Sequence, residues 1–462
     1  MKKKSLIPTV LLATGIALAA NPNLDSWFVN CDGTTGYKGI LADVQQVDYT
    51  TNNVYVQSTG IPSHPIGPWT NNPNDANNQQ HLFRIKRNPA PAGNNMETPL
   101  GPIGTFVNGV PLFGPEDAFS WQNQGIWNRN AIVAEAISFD SCQGHPAPMG
   151  TYHYHQVPNC LQAQLGDDGS GHSPIIGWAF DGYPIYGPYG LDDPLDASST
   201  VRRLDSGYLP RTGMVTRDIL PDGTVLPPSQ WGPNVNNQFP LGLYLEDFIF
   251  TGGGDLDAFN GRFMLTPEYP AGAYGYVATL DSMLDSAFPY LLGGSYYGTP
   301  DTGNFGGGNI NIPPGAQNHD PCAPPPNNYC TTSPNSAGAG AVMTWSGSTS
   351  YAANDFVLMA SGCPTGQFGL FFYGPDQTSI PLGNGVRCVA PGSLGLFRLP
   401  AVQTSIFGLG TFAVDFTQPP MNSGNGSILS GTMMNFQFWY RDKPGGGAGH
   451  NLSDGLNVTF TN

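Results

Sequence analysis

The chain has 462 residues, with 17 Lys and Arg against 33 Asp and Glu, a formal charge of −16. An acidic surface repels phosphate backbones and anionic lipid headgroups, which argues against nucleic-acid and membrane partners and favours local enrichment of cations. Charged residues are only 11% of the chain, and 61 glycines and 44 prolines are about twice the usual share, so turn-rich β-structure fits and a helical bundle does not.

Lys2, Lys3 and Lys4 precede an uncharged, largely apolar run from Ser5 to Ala19, and Ala17-Leu18-Ala19 has the small-x-small pattern of a signal-peptidase site. Residues 1–19 are therefore read as a signal peptide, with cleavage near Ala20. Removing three of the 17 basic residues leaves 14 against 33 acidic ones. No later stretch approaches the ~20 apolar residues of a membrane span. The expected location is secreted, or the periplasm or cell surface of a bacterium, with no membrane insertion.

The fold class expected is mainly β: a turn-rich β-sheet module with long loops over residues 24–298, then a C-terminal β-sandwich. Strand-like patches recur at Val44 to Val56, Ala131 to Phe139, Ile175 to Phe180 and Tyr274 to Thr279, separated by turn signals such as Asp181-Gly182 and Pro221-Asp222-Gly223. Pro115 to Asn123 reads as a short helix. Residues 299–328, rich in Gly, Asn and Pro, read as a semi-extended linker. Residues 329–462 form the second module, with strands expected at Phe356 to Ala360, Phe368 to Tyr373, Thr411 to Phe416, Asn435 to Tyr440 and Leu456 to Phe460.

The sharpest chemical signal is Tyr152-His153-Tyr154-His155. In a strand side chains alternate faces, so both imidazoles project together, their Cα atoms about 6.6 Å apart, within reach of one ion. His145, in a Gly-His-Pro turn, and His172, after the Asp167-Asp168-Gly169-Ser170 loop, complete a candidate set of four metal ligands: His145, His153, His155 and His172. Imidazole donors leave Cu and Zn undistinguished. Met149, between His145 and His153, is a candidate soft ligand, although a plain turn residue is the preferred reading. Tyr152, Tyr154, Trp178, Tyr183 and Tyr186 are read as core rather than as a sugar platform. Asp255, Asp257 and Asn260 form a weak calcium pattern, and His64, His81, His319 and His450 are read as ordinary surface residues in scattered loops. Three functions compete: an exported metal-binding protein; a metal-dependent hydrolase using an ion-activated water, with Asp181 or Glu268 taking the proton; and an adhesive or structural protein of the cell surface. No HExxH, GxSxG or Walker pattern names a substrate.

A Tyr-x-Tyr frame recurs at Tyr274-Gly275-Tyr276-Val277, with Gly275 and Val277 where the histidines stood. A true duplication would thus keep the metal site in one half only. Seven cysteines in an exported chain imply disulfides. Cys142 and Cys160 bracket part of the histidine cluster and suggest a local bridge. Cys322, Cys330, Cys363 and Cys388 allow three pairings, and Cys31 is either free or competes for the Cys142–Cys160 bridge.

Residues 36 to 298 resemble the YHYH proteins, exported bacterial proteins with some eukaryotic relatives. The resemblance rests on Asn123-Gln124-Gly125-Ile126-Trp127-Asn128, Gly144-His145-Pro146-Ala147-Pro148, the Tyr152–His155 tetrapeptide, the run from His172 to Gly187, and Thr266-Pro267-Glu268-Tyr269-Pro270. It implies a metal site and names no reaction. The C-terminal module, through Phe368-Gly369-Leu370-Phe371-Phe372-Tyr373-Gly374 and Asn435-Phe436-Gln437-Phe438-Trp439-Tyr440, resembles one carried by exported planctomycete- and myxobacteria-type proteins. That resemblance implies a Cys330–Cys388 bridge, leaves Cys322 with Cys363, and suggests an envelope or surface partner.

Overall fold

The structure, a computed structural model, describes residues 22–306, 310–322, 326–351 and 353–461; the expected signal peptide at 1–19 lies outside the described residues. The chain is mainly β, and its described residues divide into one compact unit within Pro22–Cys322 and another from residue 326 onward.

Strands of the first unit are short and broken by the turns that its Gly and Pro dictate. Hairpin β1 (Val44–Tyr49) and β2 (Asn53–Ser58) is followed by β3 (His81–Lys86), β4 (Pro102–Phe106), β5 (Pro111–Phe113), β6 (Glu116–Ser120) and β7 (Asn128–Asn130). Then come β8 (Gly144–Pro146), β9 (Tyr152–Tyr154), β10 (Ile175–Ala179) and β11 (Pro184–Tyr186). Two ribbons, β12 (Tyr189–Leu191) with β13 (Val201–Arg203) and β14 (Tyr208–Pro210) with β15 (Phe248–Phe250), precede β16 (Gly261–Met264), β17 (Ala273–Val277) and β18 (Gln317–His319). The central sheet has eight strands in the order β16-β17-β11-β10-β4-β5-β9-β8, and a smaller one runs β18-β1-β2-β3. One apolar core unites both, with Val47, Val56, Phe106, Leu112, Tyr154, Trp178, Ile185 and Tyr276 fully buried.

The central sheet is an internal duplication. The run Ile103-Gly104 through Asn108-Gly109 to Pro111-Leu112-Phe113-Gly114-Pro115 repeats as Ile176-Gly177 through Asp181-Gly182 to Pro184-Ile185-Tyr186-Gly187-Pro188. These two copies form the hairpins β4–β5 and β10–β11, which meet at a pseudo-twofold: Thr105 faces Trp178, Gly104 faces Ala179 and Phe106 faces Gly177. Glycine is required at the crossing, because a Cβ on Gly104 would lie 2.7 Å from the Trp178 carbonyl oxygen and one on Gly177 2.9 Å from that of Thr105. Outside each copy a second hairpin pairs in parallel, β9 with β5 and β17 with β11. Asp140-Ser-Cys-Gln-Gly144 and Asp257-Ala-Phe-Asn-Gly261 open these hairpins alike, each aspartate accepting from the backbone N–H of the residues two and four further on. The Tyr-x-Tyr echo is the visible edge of this repeat.

Several local expectations are corrected. Ala131 to Phe139 is not a strand: the Asn130 side chain caps a short helix, Ala131–Ala134, and a 3-10 turn follows at Ala136–Ser138. Pro115 to Asn123 is not a helix, since Glu116–Ser120 pairs with β7 and only Trp121–Asn123 turns. The stretch read as a linker is largely tied into the first unit. Asp301 pairs with Arg84 at 2.6 Å, β18 adds to β1, and Cys322 is bonded to Cys31. Its low complexity hid an edge strand held by pairing rather than by side-chain packing. Cys142–Cys160 and Cys330–Cys388 form as expected. Cys322 with Cys363 does not, and Cys363 is a buried free thiol. The calcium pattern also dissolves: Asp255 is forked onto Arg202 at 2.7 and 2.8 Å, and Asp257 caps its own turn and accepts from Tyr274.

In the second unit, β19 (Asn327–Tyr329), β20 (Val342–Ser346), β21 (Val357–Ser361), β22 (Phe368–Gly374), β23 (Asp376–Leu382), β24 (Gly385–Ala390), β25 (Phe397–Gln403), β26 (Gly410–Ala413), β27 (Met433–Arg441) and β28 (His450–Thr459) follow one another. A five-stranded sheet, β19-β28-β27-β22-β25, and a three-stranded one, β20-β21-β26, enclose a core that includes Met343, Leu358, Phe371, Phe436 and Val458. Hairpin β23–β24 forms a separate two-stranded sheet.

Arg217 and Asp247, both fully buried, pair at 2.7 Å through two N–H···O bonds and hold the excursion between β14 and β15. Replacing Arg217 by Met strands a buried carboxylate, so unfolding free energy from urea denaturation is expected to fall by about 3–5 kcal/mol. Non-reducing peptide mapping is expected to recover Cys31 with Cys322, Cys142 with Cys160 and Cys330 with Cys388, with Cys363 alkylated only after denaturation.

Candidate metal site

Strands β8 and β9 build the site. They are antiparallel neighbours with His145 opposite His153. Alternation along β9 sends Tyr152 and Tyr154 into the core, where Tyr152 donates to Asp140 at 3.0 Å and the Tyr154 hydroxyl meets His64 Nε2 at 2.8 Å. Gly144 admits this arrangement, since the Tyr152 ring lies where a Cβ would stand. On the other face, His153 Nε2 lies 3.1 Å from His145 Nε2 and 3.0 Å from His155 Nε2. Phe113 stacks on His153 with centroids 3.9 Å apart, and Phe139 leans on His145 at 4.5 Å.

The second nitrogen of each ring determines what those short contacts are. His153 Nδ1 donates to the Thr151 carbonyl at 3.0 Å and His155 Nδ1 to the Gly114 carbonyl at 2.6 Å. A carbonyl can only accept, so both rings carry their proton on Nδ1. Ser138 Oγ spends its hydrogen on the Glu135 carbonyl at 2.7 Å and so accepts from His145 Nδ1, also at 2.7 Å. Burial, before any other cause, holds all three rings neutral: His145 is pushed down to about 3, His155 to about 4 and His153 well below its ordinary value. Three bare Nε2 lone pairs therefore converge. They repel one another unless a cation lies among them.

Glu135, just past the Ala131–Ala134 helix, brings a carboxylate to the edge of this cluster. Its Oε2 is 3.2 Å from His145 Nε2 and 3.7 Å from His155 Nε2. A tetrahedral ion with bonds of 2.0–2.1 Å separates its donors by about 3.3–3.4 Å, close to the 3.0 and 3.1 Å between the histidine nitrogens. Burial raises the Glu135 carboxyl to about 7, helped by the charge of nearby Asp117 and opposed by Arg129. Asp117, itself paired with Arg129 at 2.6 Å, and Glu116 line the same cavity of about 450 Å³. Neutral imidazoles ringed by carboxylates make a site for a positive ion.

Of the residues expected, the structure brings together His145, His153 and His155, whose ligand atoms lie within 4.8 Å of one another, and leaves His172 apart. His172 donates from Nδ1 to the Ser173 carbonyl at 2.7 Å and packs edge-on against Tyr186. Asp181 is also elsewhere: its buried carboxylate accepts from Tyr276 at 2.5 Å and from the Gly298 N–H at 2.8 Å, which makes it a structural tie. Neither it nor Glu268 lines the cavity. Met149 is 89% exposed at the turn between β8 and β9 and is turned away from the histidine cluster. His64 is buried rather than superficial, and Cys142 and Cys160 beside it are spent in their disulfide, so that trio is no metal site. Glu135 was missed. Its only sequence signal was proximity to the cluster within a run mistaken for a strand.

The site thus defines a β-sheet protein with a cluster of three histidines that could hold a metal ion and a carboxylate beside it. Residues 82–288, which hold all of these side chains, match the family model described as YHYH protein. No curated protein and no solved structure matches the chain.

In chelator-treated protein the three histidines set a pH dependence. Their folded pKa values lie below the unfolded one, so the unfolded chain binds more protons below about pH 6.5 and stability drops as pH falls toward 4, by about 1.4 kcal/mol per pH unit for each ring. Glu135, raised instead, opposes this between its ordinary range and about 7. Urea denaturation across this range is expected to show a net fall that is steeper in Glu135→Gln and much reduced in His145→Phe, His155→Phe.

Proposed function

We propose that the protein is an exported metal-binding protein whose ion is held by His145, His153 and His155, with Glu135 as the fourth donor. The single observation that carries this reading is the convergence of three Nε2 atoms whose protons are all committed to Nδ1. Fixing each ring through its outer nitrogen is how metal-binding imidazoles are oriented. Three nitrogens and a carboxylate suit Zn(II), while Cu(II) would gain from raw affinity; with Met149 turned outward, a soft sulfur ligand plays no part. Three disulfides support an oxidising, extracytoplasmic location, and no helix among the described residues is long and apolar enough to cross a membrane.

The cavity over the site favours one alternative. A metal with an open position lowers the pKa of bound water and thereby supplies hydroxide for hydrolysis. Glu135, poised near pH 7, is then the group that takes the proton, a role first expected of Asp181 or Glu268.

Metal analysis by plasma mass spectrometry of the purified protein is expected to give close to one ion per chain, and none in His153→Ala, His155→Ala. Equal content in both would sink the proposal. Glu135→Gln distinguishes the two readings: about 10–100-fold weaker binding marks a ligand, whereas retained affinity with altered water exchange marks a base.

A further inference from the structure

The second unit holds a cavity of about 780 Å³ on the face of its five-stranded sheet away from the main core. Buried Phe372 and Leu452 line its interior, Trp439 and Leu396 line it further, and exposed Leu382 and Arg398 stand at its edge. Volumes of 300–1,000 Å³ with mostly apolar walls and a few polar groups are typical of small-molecule sites.

Charge makes this cavity unusual for its chain. Residues 326–461 contain four basic side chains, Arg387, Arg398, Arg441 and Lys443, and two of them line this one cavity. Among the described residues lining it there is no carboxylate, although acids outnumber bases 33 to 17 in the whole protein. Arg387 Nε is buried without a hydrogen-bond partner, and neither arginine has an ion pair among the described residues. A buried guanidinium donor left unpaired is costly, and its planar fork matches a carboxylate. The apolar interior suits a hydrocarbon body and the arginines an anionic head.

We propose that this cavity binds an amphiphilic carboxylate of the medium-chain fatty-acid class, its head on Arg387 and Arg398 and its chain against Phe372 and Leu452. The proposal is independent of the metal site.

Isothermal titration of the full-length protein with decanoate and with decanol tests it. Decanoate is expected to bind at least tenfold more tightly than decanol, the scale of one charge-assisted hydrogen bond. Arg387→Gln should bring decanoate to the level of decanol, and Arg398→Gln should weaken it in the same direction. Leu382→Glu, at an exposed position that folding tolerates, should weaken both ligands. Circular dichroism melts confirm that each variant is folded, and the Arg398 and Leu382 variants decide the matter if Arg387→Gln does not fold. Absence of decanoate binding at millimolar concentration, equal affinity for decanoate and decanol, or wild-type decanoate affinity in the folded arginine variants overturns the proposal.

Discussion

Two backbone carbonyls and one serine hydroxyl govern the first unit's chemistry. By accepting from the outer nitrogens of His153, His155 and His145, the groups of Thr151, Gly114 and Ser138 turn three lone pairs toward one point. None of these partners is itself a candidate ligand. Each depends on the fold: Gly114 follows β5, Thr151 precedes β9, and Ser138 sits in a 3-10 turn before β8. The site is therefore a product of sheet register. A one-residue slip of β9 would exchange the tyrosine and histidine faces and destroy both core and cluster.

The duplication shows what else was needed. In the second half the frame persists, with Tyr274 and Tyr276 bonded to Asp257 and Asp181 much as Tyr152 is bonded to Asp140. The donors do not persist. Gly275 and Val277 replace the histidines, and Arg262 pairs across the strands with Gly275 as His145 does with His153. A Cβ at Gly275 would meet the Tyr186 ring at 2.8 Å, so an aromatic side chain occupies the space that a ligand would use. Arg262 donates to the Leu191 carbonyl at 2.6 Å, placing a cation where the first half gathers neutral nitrogens. One scaffold thus supports opposite electrostatics at its two edges.

This geometry explains what the sequence made legible. The mainly β character followed from composition and turn spacing, and the common face of His153 and His155 followed from period-two alternation. His145 was legible because its turn leads directly into the partner strand. His172 was misplaced because closeness along the chain is not closeness across a sheet: β4 and β5 lie between β10 and β9, three steps of about 4.8 Å. Asp181, at the far end of β10, fails for the same reason. Glu135 was invisible because a capped single helical turn, rather than a strand, presents its carboxylate. The longer repeat is masked in the sequence because its shared glycines and prolines read as generic turn punctuation.

The bond between Cys31 and Cys322 joins residues 291 positions apart across a Cα–Cα distance of 5.1 Å. Tension applied along the polypeptide from either flank would pass through that covalent shortcut and leave the sheets between the two cysteines unloaded. In its oxidised form the histidine-bearing body is mechanically bypassed, so a pull that straightened the flanking chain would leave the histidines in place.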